Sequence, residues 1–318
     1  MQQKKSNGIF DGIDEVIMGK SYIVNGHKLY IETFGKTDSE PILYFHGKPG
    51  IGVIDLTEFQ KEMLEKQFFI IAPEQYGVWR SESIAKGEKW GIEKIIDDYE
   101  QIRKMFGIKK VNLLCHCLGA CYAMIYVQRY SNHVKKIVFE SPVIDVMESN
   151  KNIIKYYMEC IISIYGLKKE EEYTEELKKI FSIKDLELFM FKLQNECSDA
   201  KNGYMMSNST LEKIQNIKKI YDNANEHYLN SCKTAEHLIN EYYLFDWKKY
   251  LGDLKKHECL VMLGKQDRMV RTKALESFIN ALENRCKVFE LDECQHWIKI
   301  DQSQMFSSIV QEFIKNKV

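Results

Sequence analysis

Short apolar runs separated by polar turns constrain this chain more than any other feature. Ile42–Phe45, Phe68–Ala72 and Ile137–Phe139 are unbroken, and Val111–Leu114 is nearly so. A strand needs such a composition only when both of its faces are covered, as in a parallel sheet flanked by helices. Residues Lys28–Phe34 alternate instead, as a half-buried strand does. Trp90–Phe106 has the spacing of an amphipathic helix and runs into Gly107, a residue suited to capping a helix C-terminus. Leu118–Tyr130 predicts another helix. Strand patterns resume at Glu258–Leu263 and Cys286–Leu291, and a closing helix over Met305–Lys315 carries Phe306, Ile309, Val310 and Phe313 on one side.

Between the two sets of strands the composition changes. All four prolines lie between Pro41 and Pro142, and the stretch that follows is rich in Lys, Glu, Ile, Leu and Tyr. The charge run Leu167–Tyr173 reads as a solvated helix face. Strands that resume after a helical stretch argue for one domain with an insertion rather than two domains in series. The expected architecture is α/β: a mostly parallel central sheet flanked by helices, with residues 1–144 and 250–318 as the core and 145–249 as an inserted helical cap.

Composition narrows the partners. The 45 basic and 46 acidic residues leave a net charge of −1, which argues for neither nucleic acid nor an anionic membrane. The longest apolar run, Cys121–Val127, falls far short of the roughly 20 residues of a membrane span. No apolar segment follows Met1–Asn7, so no signal peptide is expected. The nine cysteines are odd in number and show no metal or redox spacing; they fit reduced thiols in a cytoplasmic protein that needs no metal or cofactor.

The candidate chemistry starts at Cys115-His116-Cys117-Leu118-Gly119, between an apolar strand and an apolar helix. A turn there is sharp enough to lift its central residue above the sheet, provided that the neighbours two positions away are small. Gly119 meets that need and Cys115 is larger than a glycine. By itself the pentad is either a nucleophile elbow or a strand–helix turn holding a buried cysteine. A thiol nucleophile needs a base, and the base an orienting acid. Asp267 follows the strand ending at Leu263, and His296 follows the strand ending at Leu291, 29 residues later. Each candidate thus sits just past a predicted strand. His46-Gly47-Lys48-Pro49-Gly50 follows another strand, where a glycine-containing loop aims backbone N–H groups at a developing oxyanion. Lys48 and Leu118 supply the two expected donors.

These motifs resemble the α/β-hydrolase superfamily, and within it the proline iminopeptidase-like branch. His46–Gly50 is similar to that branch's HGGPG loop with Lys48 in place of a glycine, and Glu74-Gln75-Tyr76-Gly77-Val78-Trp79-Arg80-Ser81 resembles its DQRGxGxS segment. The resemblance covers roughly residues 20–145 and 250–318. It implies a catalytic triad of Cys117, His296 and Asp267, with cysteine where the family has serine. In iminopeptidases a cap glutamate, in a stretch like Ile-Glu-Asn-His-Tyr-Phe, helps to bind the substrate's amine. Here Ile239-Asn240-Glu241-Tyr242-Tyr243-Leu244 is similar, with Asn240 at the glutamate position and Glu241 beside it. The candidate substrate contacts are His46, Gly47, His116, Asn240, Glu241 and Trp297, under a cap whose aromatic and Met residues partly line an apolar pocket.

An imidazolium and a helix N-terminus both lower a thiol's pKa from its reference of about 8.5. The acyl-enzyme would be a thioester, which reacts well with amines. The expected activity is cleavage of an ester, thioester or amide of a small molecule or short peptide through an acyl-cysteine. The alternatives are an acyltransferase or thioesterase that passes the acyl group to an amine or thiol, and a non-catalytic receptor that uses the same pocket.

Overall fold

The computed structural model describes residues 19–200 and 202–316. Met1–Asn7, after which no signal peptide is expected, lies outside them. Eight strands form one sheet: β1 (Lys20–Val24), β2 (His27–Phe34), β3 (Glu40–Phe45), β4 (Phe68–Pro73), β5 (Val111–His116), β6 (Val134–Glu140), β7 (Glu258–Gly264) and β8 (Cys286–Leu291). Their order is β1-β2-β4-β3-β5-β6-β7-β8. The strand β2 runs antiparallel to β1 and β4, and the remaining neighbours are parallel. Sequence patterning did not predict β1. Its signal is Asn25-Gly26, a two-residue hairpin turn with both φ angles positive (47° and 94°).

The helices are α1 (Ile54–Leu64), α2 (Ile92–Met105), α3 (Gly119–Tyr130), α4 (Val146–Tyr165), α5 (Leu167–Leu177), α6 (Ile183–Glu196), α7 (Asn208–Ile220), α8 (Ala224–Tyr243), α9 (Leu251–Leu254), α10 (Lys273–Leu282), α11 (Ile298–Asp301) and α12 (Ser303–Lys315). The apolar runs are continuous because helices cover both faces of the sheet. Leu43, Phe45, Leu113, Ile137, Phe139 and Val261 pack with α2, α3 and α10. Their neighbours Ile42, Tyr44, Leu114, Val138 and Leu260 pack on the opposite face with α1 and α12. Each strand therefore sends alternate residues into two different cores.

Gly107 has φ +65° and closes α2 as expected: its N–H donates to Lys104 and that of Ile108 to Arg103. This pair of bonds is a Schellman cap. Helices α4 to α8 lie between β6 and β7 in the chain. Side-chain caps start three of them, with Asp145 accepting from the Glu148 N–H, Ser182 from Asp185 and Ser207 from Thr210. Among the described residues no helix is long and apolar enough to cross a membrane.

Candidate active site

Cys117 sits between β5 and α3 with φ +54°, a left-handed conformation that costs a non-glycine residue roughly 1–3 kcal/mol. Three bonds hold it there: its N–H donates to the Glu140 carbonyl (3.0 Å), and its own carbonyl accepts from the N–H groups of Val143 and Ala120 (3.2 Å each). A methyl group on Gly119 would collide with the Phe45 carbonyl, so this glycine permits α3 to start against β3. The larger Cys115 is accommodated because its thiol turns into the core and donates to the Val138 carbonyl at 3.2 Å.

His296 lies in the loop between β8 and α11, and its Nδ1 is 2.7 Å from Asp267 Oδ2. The other carboxylate oxygen of Asp267 accepts from Met269 (2.9 Å) and Val270 (3.3 Å), so the acid is fixed on both sides. Asp267 and His296 are both buried. Burial by itself lowers the His296 pKa, but the Asp267 carboxylate and Cys117 outweigh it and raise the ring to about 10. The imidazole is therefore set up to hold its second proton.

Cys117 and His296 line one cavity of about 400 Å³, together with Lys48, Leu118, Met205 and Trp297. Gly47 abuts the nucleophile candidate: a Cβ there would lie 2.9 Å from that of Cys117. Of the candidate substrate contacts, Gly47, His116 and Trp297 line this cavity. The other three do not. His46 is buried behind its loop, donating through Nδ1 to the Gly47 carbonyl (3.0 Å) and accepting at Nε2 from the Gln75 N–H (3.3 Å). Asn240 points to solvent. Glu241 accepts from the Ile92 N–H at 3.0 Å, capping the start of α2.

The reason lies in how α8 is seated. Ser231 accepts from the Trp79 N–H, Thr234 donates to the Gly77 carbonyl, His237 bonds the Trp90 carbonyl, and Glu241 follows one turn later. This polar stripe at three- to four-residue spacing fastens α8 to the segment between β4 and α2. The adjoining face turns Tyr228, Ile239, Tyr242 and Tyr243 to the cavity. A carboxylate does face the cavity, but from α6: Glu187 accepts from the Tyr243 hydroxyl at 2.6 Å, and Asn150 bonds both of them.

A buried charged cluster lies behind the site. Lys299 on α11 is 0% exposed, and its Nζ is 2.8 Å from both Asp55 and Glu140. Its N–H also donates to Glu140 (2.9 Å), and Tyr44 donates to Asp55 (3.2 Å). Burial by itself would raise the Glu140 pKa; Lys299 and His116 overrule it and hold the group at about 2. His116 Nδ1 is 3.2 Å from Glu140, and its ring centroid is 4.8 Å from that of His296. Burial first, and then Lys299, lower His116 to about 4, so it stays neutral near pH 7. The cluster ties the elbow, through Glu140 at the end of β6, to the segment that carries His296. Sequence reading missed Glu140 and Lys299. The available hint was a lysine inside the apolar stretch Trp297-Ile298-Lys299-Ile300.

A family model described as "alpha/beta hydrolase fold" matches residues 40–158. In structure the chain is similar to a proline iminopeptidase-related protein from Thermus thermophilus, with TM-score 0.65, 18% identity and coverage of 92% of this chain and 95% of that one. It is also similar to a meta-cleavage product hydrolase from Pseudomonas fluorescens, with TM-score 0.62, 17% identity and coverage of 93% and 97%. Sheet order, flanking helices and these likenesses define an α/β-hydrolase fold.

Its sequence relatives include proline iminopeptidases. That of Neisseria gonorrhoeae is 30% identical over 112 residues, 35% of this chain and 36% of that protein. That of Flavobacterium johnsoniae is 25% identical over 166 residues, 52% and 53% respectively. The matches thus span between about a third and a half of the length of these curated relatives.

Proposed function

We propose that this protein is a hydrolase that works through a covalent acyl-cysteine, with Cys117 as nucleophile, His296 as acid and base, and Asp267 as the group that orients the imidazole. The observation that carries this reading is Cys117 at a left-handed strand–helix turn, in one cavity with a buried His296 already bonded to Asp267. The thiolate attacks the carbonyl carbon of an ester, thioester or amide, and a C–S bond forms. The N–H groups of Lys48 and Leu118 take the oxyanion. As the tetrahedral species collapses, the His296 imidazolium gives its proton to the leaving group. Water then attacks the thioester while His296 accepts its proton; the C–S bond breaks, the acid departs and the thiol is restored. Helices α4 to α8 act as a cap over this centre.

The relatives suggest an N-terminal prolyl amide as one substrate. With Asn240 turned to solvent, Glu187 offers the ammonium group its carboxylate. Prolyl-p-nitroanilide and p-nitrophenyl acetate test the two levels of the reading. Cys117→Ala should lose turnover of both, and activity above about a tenth of wild type would sink the nucleophile assignment. Denaturing mass spectrometry of a quenched p-nitrophenyl acetate reaction should place the acetyl group on Cys117. Glu187→Gln should weaken only the prolyl substrate.

A further inference from the structure

The cavity has a second charged end. Helix α8 spans it, and Tyr228 and Tyr243 lie 15 residues apart on that helix, about 22 Å along its axis. Glu187 is bonded to Tyr243 at one end. Lys218, in the last turn of α7, lies at the other with its Nζ 4.3 Å from the Tyr228 ring centroid. Lys218 is half-buried and lines the same cavity as Cys117. Among the described residues no carboxylate pairs with it, and burial lowers its pKa. Lys48, exposed on the loop beside Cys117, adds a second cation to the lining. Asp55 also reaches the lining, but Lys299 already neutralises it.

A partly desolvated ammonium held over a ring, without a counter-ion, in a cavity that contains a nucleophile, is a recognition group awaiting its anion. We propose that Lys218 forms a subsite for an anionic group, a carboxylate or a phosphate, carried by the substrate at the end of the cavity remote from Glu187. The favoured substrate class is then an ester, thioester or amide with an anionic tail. The proposal rests on the acyl-cysteine reading for its chemistry, though not for binding.

The test uses the full chain and p-nitrophenyl esters of a series of dicarboxylic acids, each compared with the analogue whose terminal carboxylate is a methyl ester. The wild type should prefer the carboxylate probe by about tenfold in kcat/KM at the best chain length. That ratio should fall to near one in Lys218→Met and return in Lys218→Arg; Lys218→Gln serves if the Met variant does not fold. A terminal phosphonate in place of the carboxylate tells the two anions apart. Equal ratios in wild type and Lys218→Met, or no preference for either anion at any length, would overturn the subsite. Turnover by Cys117→Ala with the ratio still dependent on Lys218 would defeat the nucleophile assignment and leave the subsite standing. If no probe is cleaved, calorimetric binding of the same hemiesters to Cys117→Ala, with and without Lys218→Met, decides on the same ratio.

Discussion

A cysteine at φ +54° and a histidine whose ring is raised to about 10 share one cavity. The histidine makes a signed prediction. Its folded pKa stands above the unfolded value of about 6.5. The Asp267–His296 pair therefore contributes fully to stability below about pH 6.5, and that contribution is lost as pH rises through the folded value near 10. The difference in urea stability between wild type and Asp267→Asn should be largest near pH 6 and shrink steadily toward alkaline pH. A pH-independent difference would mean that His296 does not hold the extra proton. Cys117, Asp267 and His296 were legible because each follows an apolar strand run, and chain position past a strand fixes position at one edge of a parallel sheet. Lys299 and Glu140 were not legible. They stand 159 residues apart, and no local pattern says that two such charges meet in the interior.

Among the elements, the single turn α11 carries Lys299, the cation of the buried cluster with Asp55 and Glu140. Lys299→Met would leave Asp55 and Glu140 buried without their cation, and removing one partner of such a set costs roughly 3–5 kcal/mol. Urea unfolding should show that loss, and a change under about 1 kcal/mol would mean that water already screens the cluster. Every strand but β1, and the helices α2, α3 and α12, were legible from period and capping residues. The seat of α8 was not, because its fastening stripe is polar. Ser231 and Thr234 are buried, although small polar residues carry no apolar periodicity that would mark a buried face. Asn240 and Glu241 were expected at the substrate from the likeness of Ile239–Leu244 to the iminopeptidase cap stretch, a likeness that carries no information on how the helix is rotated.

At the scale of the whole molecule, order is unevenly distributed. Strands β4 and β5 are buried along their whole length, whereas Tyr173 is the one buried residue of α5, and Thr210 and Ile214 are those of α7. Amide exchange followed by mass spectrometry should therefore find β3, β4, β5 and β7 the slowest segments, with α5 and α7 exchanging far sooner. Equal protection of α7 and β5 would contradict this. Where the helices between β6 and β7 fall in the chain could be read from the lost prolines and the returning strands. Which helix holds to the sheet and which does not depends on contacts between segments more than a hundred residues apart. The consequence concerns traffic. Helix α8 cannot lift without breaking four hydrogen bonds to the segment beneath it, so it is a fixed wall. Any widening of the cavity around Cys117 must come from its other walls, among them α7, which has two buried residues and carries Lys218 on its last turn.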